Sequence, residues 1–553
     1  MRYNLRLILS IFLLLCMIVS SAPSINVDVI TNERKCDNNF NLICNAYPTR
    51  WSLYFEDSEN WIRTYGGAYC DWADDVEKTP DGGYIIAGST GPLGGLYNFW
   101  VVKTDINGRQ LWNRTYGGSG DEWAFGIAVS DVTSPIDGGY IVAGVTNSSG
   151  AGDYDAWIVK IDENGNEQWN KTYGTSLFNA VYDIESLPQG GYILAGSTKN
   201  PFPWASDFWL LRIDANGNLL WNKTFSRPDI DVAYDVEITP DGGFVLVGVA
   251  YDGATIQWMR IIKTDSEGNM VWEKLFGLME YFPMMLKGFG VTISSDGGYV
   301  AVGSAPLPRN TFCVVKYDPY GNQEWNKTYV GIALCALDIE TTVDGGYILC
   351  GVVSEDFGII KIDSCGAIQW SVTYDLNATA VDVELAPNGG YIVAGYTIEN
   401  EEESNFCLVR FKVHDIAITD LKTSKRKVVQ GDIVTVNVTI QNQGDYDENV
   451  SVAIYANATI IGVKVATLVS GNSTTLTYIW NTTNFAIGKY KISAEVAQVT
   501  EEVDVTDNKY IDGLVKITPP ITIKGPYYTL DVIEYYIVVI IEGRRPCRVI
   551  SKY

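Results

Sequence analysis

Asp81-Gly82-Gly83-Tyr84-Ile85-Ile86-Ala87-Gly88 is the stretch on which the fold turns. Paired glycines after an aspartate reverse the chain, and the apolar run behind them reads as a short strand. The phrase recurs with small changes. Its double glycine starts at Gly82, Gly138, Gly190, Gly242, Gly297, Gly345 and Gly389, in steps of 56, 52, 52, 55, 48 and 44 residues. A second phrase, Trp-Asn-Lys-Thr-Tyr-Gly and its variants, is anchored at Trp61, Trp112, Trp169, Trp221, Trp272, Trp325 and Trp370. A third lies between them, typified by Phe99-Trp100-Val101-Val102-Lys103-Thr104-Asp105. Self-similarity at such a period marks a repeat architecture.

Each unit reads as four strands: one before Asp-Gly-Gly, one after it, the Trp-Val-Val-Lys segment, and the strand carrying the second-phrase Trp. Four short strands in about 50 residues are the signature of a propeller blade. The order of phrases adds closure. The chain enters on a Trp strand at Trp61 and leaves on a third-type strand, Phe406 to Phe411. The first Trp strand can therefore complete the last blade, which removes free edges. The expectation is an all-β protein: a seven-bladed β-propeller over residues 51–413, followed by an immunoglobulin-like β-sandwich. An open solenoid is the alternative.

The junction of the third and fourth strands has the form Asp-x-x-Gly-x-x-x-Trp, first at Asp105, Gly108 and Trp112 and last at Asp363, Gly366 and Trp370. It resembles the tryptophan-docking motif of quinoprotein-like propellers. The resemblance implies a Trp packed between neighbouring blades and a Gly that permits the tight turn. It does not bring an enzyme with it, since no cofactor-stacking constellation or eighth blade matches.

After His414 the repeat stops, and alternating strands rich in Thr, Val and Asn begin. His414-Asp415-Ile416-Ala417, Val436 to Gly444, Gly488 to Ile492 and Asp507-Asn508-Lys509-Tyr510 resemble the CARDB family, immunoglobulin-like modules of prokaryotic cell-surface proteins. The resemblance covers residues 414–517 and implies a spacer or cell-adhesion module without catalytic residues. Residues 518–553 read as an edge strand or loose tail.

Arg2 and Arg6, the apolar run from Leu7 and the small residues Ser20-Ser21-Ala22 read as a signal peptide over residues 1–22. An uncleaved segment associated with the membrane is the alternative. A polar leader, residues 23–50, follows. Export to the extracellular or cell surface permits disulfides, and Cys36 and Cys44 are the candidate pair. Cys313, Cys350 and Cys407 sit in apolar strands and read as buried thiols. Asn-x-Ser/Thr sequons stand at Asn113, Asn147, Asn170, Asn222, Asn326, Asn377, Asn437, Asn449, Asn457, Asn472 and Asn481, the marks of a candidate glycoprotein.

Composition excludes several functions. Lys+Arg number 40 and Asp+Glu 66, a formal charge of −26, so phosphate-tracking nucleic-acid binding is out. One histidine in 553 residues removes most zinc sites and imidazole acid–base chemistry. No phosphate loop or nucleophile elbow is present. One constellation stands out. The first strand repeats as apolar-Asp-apolar-Glu, which gives a column of Asp75, Asp183, Asp235, Asp338 and Asp382. Beside it runs a second, of Glu77, Glu185, Glu237, Glu340 and Glu384. Units two and five place Gly126 and Ala128, then Gly290 and Thr292, there instead. Near one axis these acids repel unless protons or cations intervene. Two readings follow: hydrogen bonding to amides of the next blade, or a calcium-seeking channel mouth. No other cofactor is expected. The functional expectation is an exported surface protein that binds a glycan or protein ligand. A polysaccharide-active enzyme using the carboxylates and a structural coat component are the alternatives.

Overall fold

The computed structural model describes residues 42–44, 60–130, 138–199, 205–252, 256–277, 287–305, 311–330, 334–353, 356–387, 389–400, 403–499, 502–525 and 528–532. The signal segment and Cys36 lie outside them, and of Cys44 only the backbone is described. Among the described residues the chain is strand-rich, and its one short helix is the 3-10 turn Thr482–Asn484. Among the described residues no helix is long and apolar enough to cross a membrane. It divides into two compact units, Met1–Lys412 and Val413–Tyr553.

In the first unit the repeats become antiparallel sheets that follow chain order. Strands Cys70–Lys78, Tyr84–Gly91, Asn98–Thr104 and Gln110–Tyr116 pair in sequence, and five further groups of four do the same. The seventh group supplies three strands, Ala378–Leu385, Tyr391–Asn400 and Glu403–Phe411. Its fourth is Trp61–Tyr65, from the start of the repeat region, which pairs antiparallel with Glu403–Phe411 and sets Thr64 opposite Cys407 and Tyr65 opposite Phe406. The strand Leu42–Cys44 lies parallel to the edge of the fifth sheet.

The second phrase packs each sheet on the next. At Gly165, Gly217, Gly268 and Gly321 the backbone is left-handed, with φ between +71° and +81°, and an added Cβ would stand 2.7–3.0 Å from the ring of the preceding unit's Trp. The same holds where first meets last: the Trp61 ring lies 2.5 Å from a Cβ built at Gly108. Glycine is required there for both the turn and the close approach. The Tyr of the phrase reinforces the contact, since Tyr65, Tyr116, Tyr173 and Tyr329 donate hydroxyl hydrogen bonds to the carbonyls of Gly108, Gly165, Gly217 and Gly366 at 2.5–2.7 Å.

The second unit is two facing sheets. One orders Ile416–Thr423, Ile433–Asn442 and Ser473–Asn481; the other joins Lys427–Val429, Lys509–Thr518, Gly488–Val496, Glu448–Ala456 and Thr459–Leu468. Alternation buries Val434, Val436, Val438 and Ile440 on one face against Val450, Val452 and Ile454 from the other sheet. Trp480 closes this core. In the tail, Ile521–Gly525 pairs with Tyr528–Val532.

Candidate functional site

The first strand of every repeat slips register by one residue immediately before the Asp column, at Ala73/Asp75, Ala124/Gly126, Val181/Asp183, Ala233/Asp235, Gly288/Gly290, Ala336/Asp338 and Ala380/Asp382. A bulge bends the strand and re-aims the residue after it. Here it turns the Asp onto the next sheet. Asp75 accepts the Ile127 N–H at 2.6 Å, Asp183 that of Val236 at 2.8 Å, Asp235 that of Val291 at 2.6 Å and Asp338 that of Val383 at 3.0 Å. Asp382 accepts the Val76 N–H at 2.8 Å, which joins last repeat to first across 306 residues.

The two exceptions have a steric cause. A Cβ on Gly126 would stand 3.1 Å from Asp183 Cα, and one on Gly290 3.0 Å from Asp338 Cα. With no Asp arriving from behind, Asp183 and Asp338 each take the amide of their own following residue, Ile184 and Ile339. The Asp column is thus an inter-sheet fastening, with each amide supplied by one carboxylate.

The Glu column faces itself across repeats. Glu77 senses Glu384 and Asp382, Glu185 senses Glu237 and Glu77, and Glu237 senses Glu340 and also Glu384, three repeats away. Lys78 pairs with Glu384 at 2.7 Å. Glu340 accepts from Thr292, the residue that replaces Glu in unit five, at 2.9 Å. Desolvation first, and neighbouring carboxylates second, push Asp75, Asp235, Asp338, Asp382, Glu77, Glu185 and Glu237 well above the ordinary carboxylate range. Glu340 is pushed to about 7 for the same reasons. The Asp382 carboxyl also contacts those of Asp75 and Asp338, as Asp183 contacts Asp235. Such pairs share protons.

These shifts fix a sign. A raised folded-state pKa means that the native state holds more protons than the unfolded one, so stability falls as pH rises from about 4 toward and beyond 7. The turn carboxylates Asp81, Asp162, Asp214, Asp241 and Asp344 are instead held low, despite some desolvation, by hydrogen bonds and, at several, a lysine. Their contribution is lost below about pH 4. Thermal melts of the first unit should therefore peak near pH 4–5 and decline steadily to pH 8. A melting temperature that rises from pH 5 to pH 8 would contradict the shared-proton column.

Sequence reasoning missed three features. The lysine of the third phrase is buried on the aspartate of Asp-Gly-Gly: Lys103 on Asp81 and Lys263 on Asp241 at 2.9 Å, Lys361 on Asp344 at 2.8 Å, and Lys316 on Asp296. The recurring spacing of 17 to 22 residues was the available signal. Second, Cys365 is disulfide-bonded, while Cys313, Cys350 and Cys407 are buried thiols, as their apolar strands implied. Third, Trp72, Tyr97, Trp123 and Tyr396 cluster where repeats one, two and seven meet. Trp72 stacks on Trp123 at 6.1 Å, Tyr97 touches both at 5.4 and 4.5 Å, and Tyr396 meets Trp72 edge-on at 6.5 Å. Trp72, Trp123 and Tyr396 are half-exposed.

Among the described residues no group of three or more His, Cys, Asp or Glu side chains is gathered as a metal centre. Every sequon Asn is exposed except Asn326, which is half-buried.

The CARDB family model matches residues 413–511. No curated protein matches the chain. Among solved structures, the CARDB domain of PF1109 from Pyrococcus furiosus, in complex with di-metal ions, is 22% identical and covers 20% of this chain and 91% of its own, with a TM-score of 0.18. A domain provisionally named a cell surface protein, from Methanosarcina acetivorans, is 23% identical over 19% of this chain and 93% of its own, with a TM-score of 0.17. A Bacteroides caccae protein of unknown function is 13% identical and covers 53% of this chain and 94% of its own, with a TM-score of 0.32. Residues 413–511, which fold as two facing β-sheets, are a CARDB domain.

Proposed function

We propose that the seven sheets close into one seven-bladed propeller of the tryptophan-docking type, and that the chain is an exported surface protein whose propeller binds a ligand. The CARDB domain serves as spacer or adhesion module. Closure is supported where the ends meet: Trp61–Tyr65 completes the last sheet, Asp382 fastens to Val76, and Trp61 docks on Gly108. The Asp column binds amides, and the Glu column holds protons at the axis, with calcium as the competing occupant.

The binding role rests on the half-exposed cluster of Trp72, Trp123 and Tyr396 over Tyr97. Stacked aromatic faces bordered by polar groups are surfaces on which sugar rings and peptide side chains dock. Asp121 stands beside it, accepting the Tyr97 N–H at 3.1 Å. A glycan is the favoured ligand. The test is a glycan array probed with the full chain, with and without calcium, while turnover is monitored. W72A and W123A should each reduce array signal about tenfold or more with the melting temperature little changed. Undiminished binding would overturn this site; turnover at the carboxylates would move the protein to the enzymes.

A further inference from the structure

The CARDB unit carries a second oxygen cluster, at the start of its first strand. Asp415 is fully buried, and neither carboxylate oxygen has a hydrogen-bond partner. The Asp504 N–H faces it at longer range. Its carbonyl, by contrast, is saturated by the amides of Gln443 and Gly444 at 2.9 and 3.1 Å. The backbone is thus clamped, while the side chain has no donor within hydrogen-bond distance and the Asp504 N–H beyond it.

What surrounds that side chain is acidic: Asp507, Asp504 and Glu502 act on it. Asn508 is 8% exposed, and its Oδ1 also lacks a partner. Its orientation is set by Glu502, which accepts the Asn508 Nδ2–H at 2.8 Å together with the amides of Ile416 at 3.0 Å and Val499 at 3.1 Å. Glu502 is therefore spent as a positioning group that ties down the amide nitrogen of Asn508 and leaves its buried oxygen without a partner. Leaving a buried carboxylate without donors costs several kcal/mol in an ordinary core. An all-oxygen set of carboxylates and an amide carbonyl, irregular and without nitrogen or sulfur, suits a hard cation that accepts variable geometry.

We propose that Asp415 and Asn508, with Asp504 and Asp507 drawn in from the loop that precedes Lys509–Thr518, form a calcium site in the CARDB unit. The inference rests on these oxygen atoms alone and is independent of the ligand-binding reading of the propeller. Backbone bonds already hold this segment on the first strand, with the Ile418 N–H donating to the Asp507 carbonyl and the Val503 N–H to that of His414, each at 3.0 Å; calcium would draw the carboxylates together on that frame.

Isothermal titration of the calcium-stripped full chain with CaCl2 alone tests this, beside D415N, D504N and the channel variant D75N. The parent and D75N should bind calcium at this site. D415N should abolish that binding, and D504N, in a half-exposed loop position that tolerates substitution, should weaken it at least tenfold. In chelator D415N should melt no lower than the parent, because it removes an uncompensated charge, while in calcium the parent should melt higher. Absence of calcium binding up to millimolar concentration would overturn the proposal. So would binding that survives D504N unchanged, or that disappears in D75N alone.

Discussion

Replacing Arg260 by Ala should destabilise the repeat unit by about 3–5 kcal/mol, the cost of breaking a buried ion pair by removing one partner. Arg260 is 1% exposed and Asp231 fully buried; Nη1 meets Asp231 at 2.7 Å and Nε meets Glu273 at 2.8 Å. Nη1 also donates to the Phe225 carbonyl at 2.9 Å, and the guanidinium lies 4.6 Å from the Phe208 ring centroid. Burial already holds the Asp231 carboxyl up at about 7, against the pull of Arg260 and Arg227. Without Arg260 that acid must be buried either charged or protonated. The penalty should therefore be larger at pH 8 than at pH 5. The double variant R260M/D231L, which removes both charges, should recover much of the loss. Urea unfolding followed by tryptophan fluorescence reads the repeat unit, because only Trp480 of the 16 tryptophans lies in the CARDB domain. A loss under 1 kcal/mol for R260A would show that the pair is dispensable.

The second large effect is a gain. Thr64→Cys should form a disulfide with native Cys407 and stabilise the repeat unit by as much as about 5 kcal/mol. That is the entropy removed from the unfolded chain by closing a loop of about 340 residues. The two positions are Cα partners across the strands that join the first and last repeats. Antiparallel partners stand within the Cα separation that a disulfide spans. The equivalent pair in the fifth repeat shows the side-chain approach, with Cys313 Sγ and Thr328 Oγ1 3.5 Å apart. Burial pushes the Cys407 thiol up to about 12, so the new, exposed cysteine must supply the attacking thiolate.

Much of this architecture was legible in the sequence because each repeat states it in turn residues. Asp-Gly-Gly fixed the hairpins, Asp-x-x-Gly fixed the docking turn, and the surplus Trp strand at Trp61 pointed to its partner at Phe406 to Phe411. The Asp and Glu columns were visible; hydrogen bonding to amides of the next repeat was one of two readings for both, and in the structure those bonds are made by the Asp column. Their bulge was not, since one extra residue in a strand barely disturbs a period-two pattern. The absence of Asp from units two and five read as a gap, whereas it is a steric demand of the neighbouring strand at Gly126 and Gly290. The ion pairs of Lys103, Lys263 and Lys361 were not read from the sequence, because each lysine reaches its aspartate from inside an apolar strand. Asp415 looked like one more polar residue in an alternating strand. Its burial comes from long-range packing by the segment around Glu502 and Asn508, 86 residues and more away.

The central claim is that the chain closes on itself, and it meets its most direct test in peptide mapping of oxidised, monomeric Thr64→Cys protein under non-reducing conditions. A closed ring should give one intramolecular cross-linked peptide pair containing residues 64 and 407, lost on unfolding before oxidation. Open sheets would leave both thiols free, or link residue 64 to another cysteine or another molecule, and that result would contradict closure.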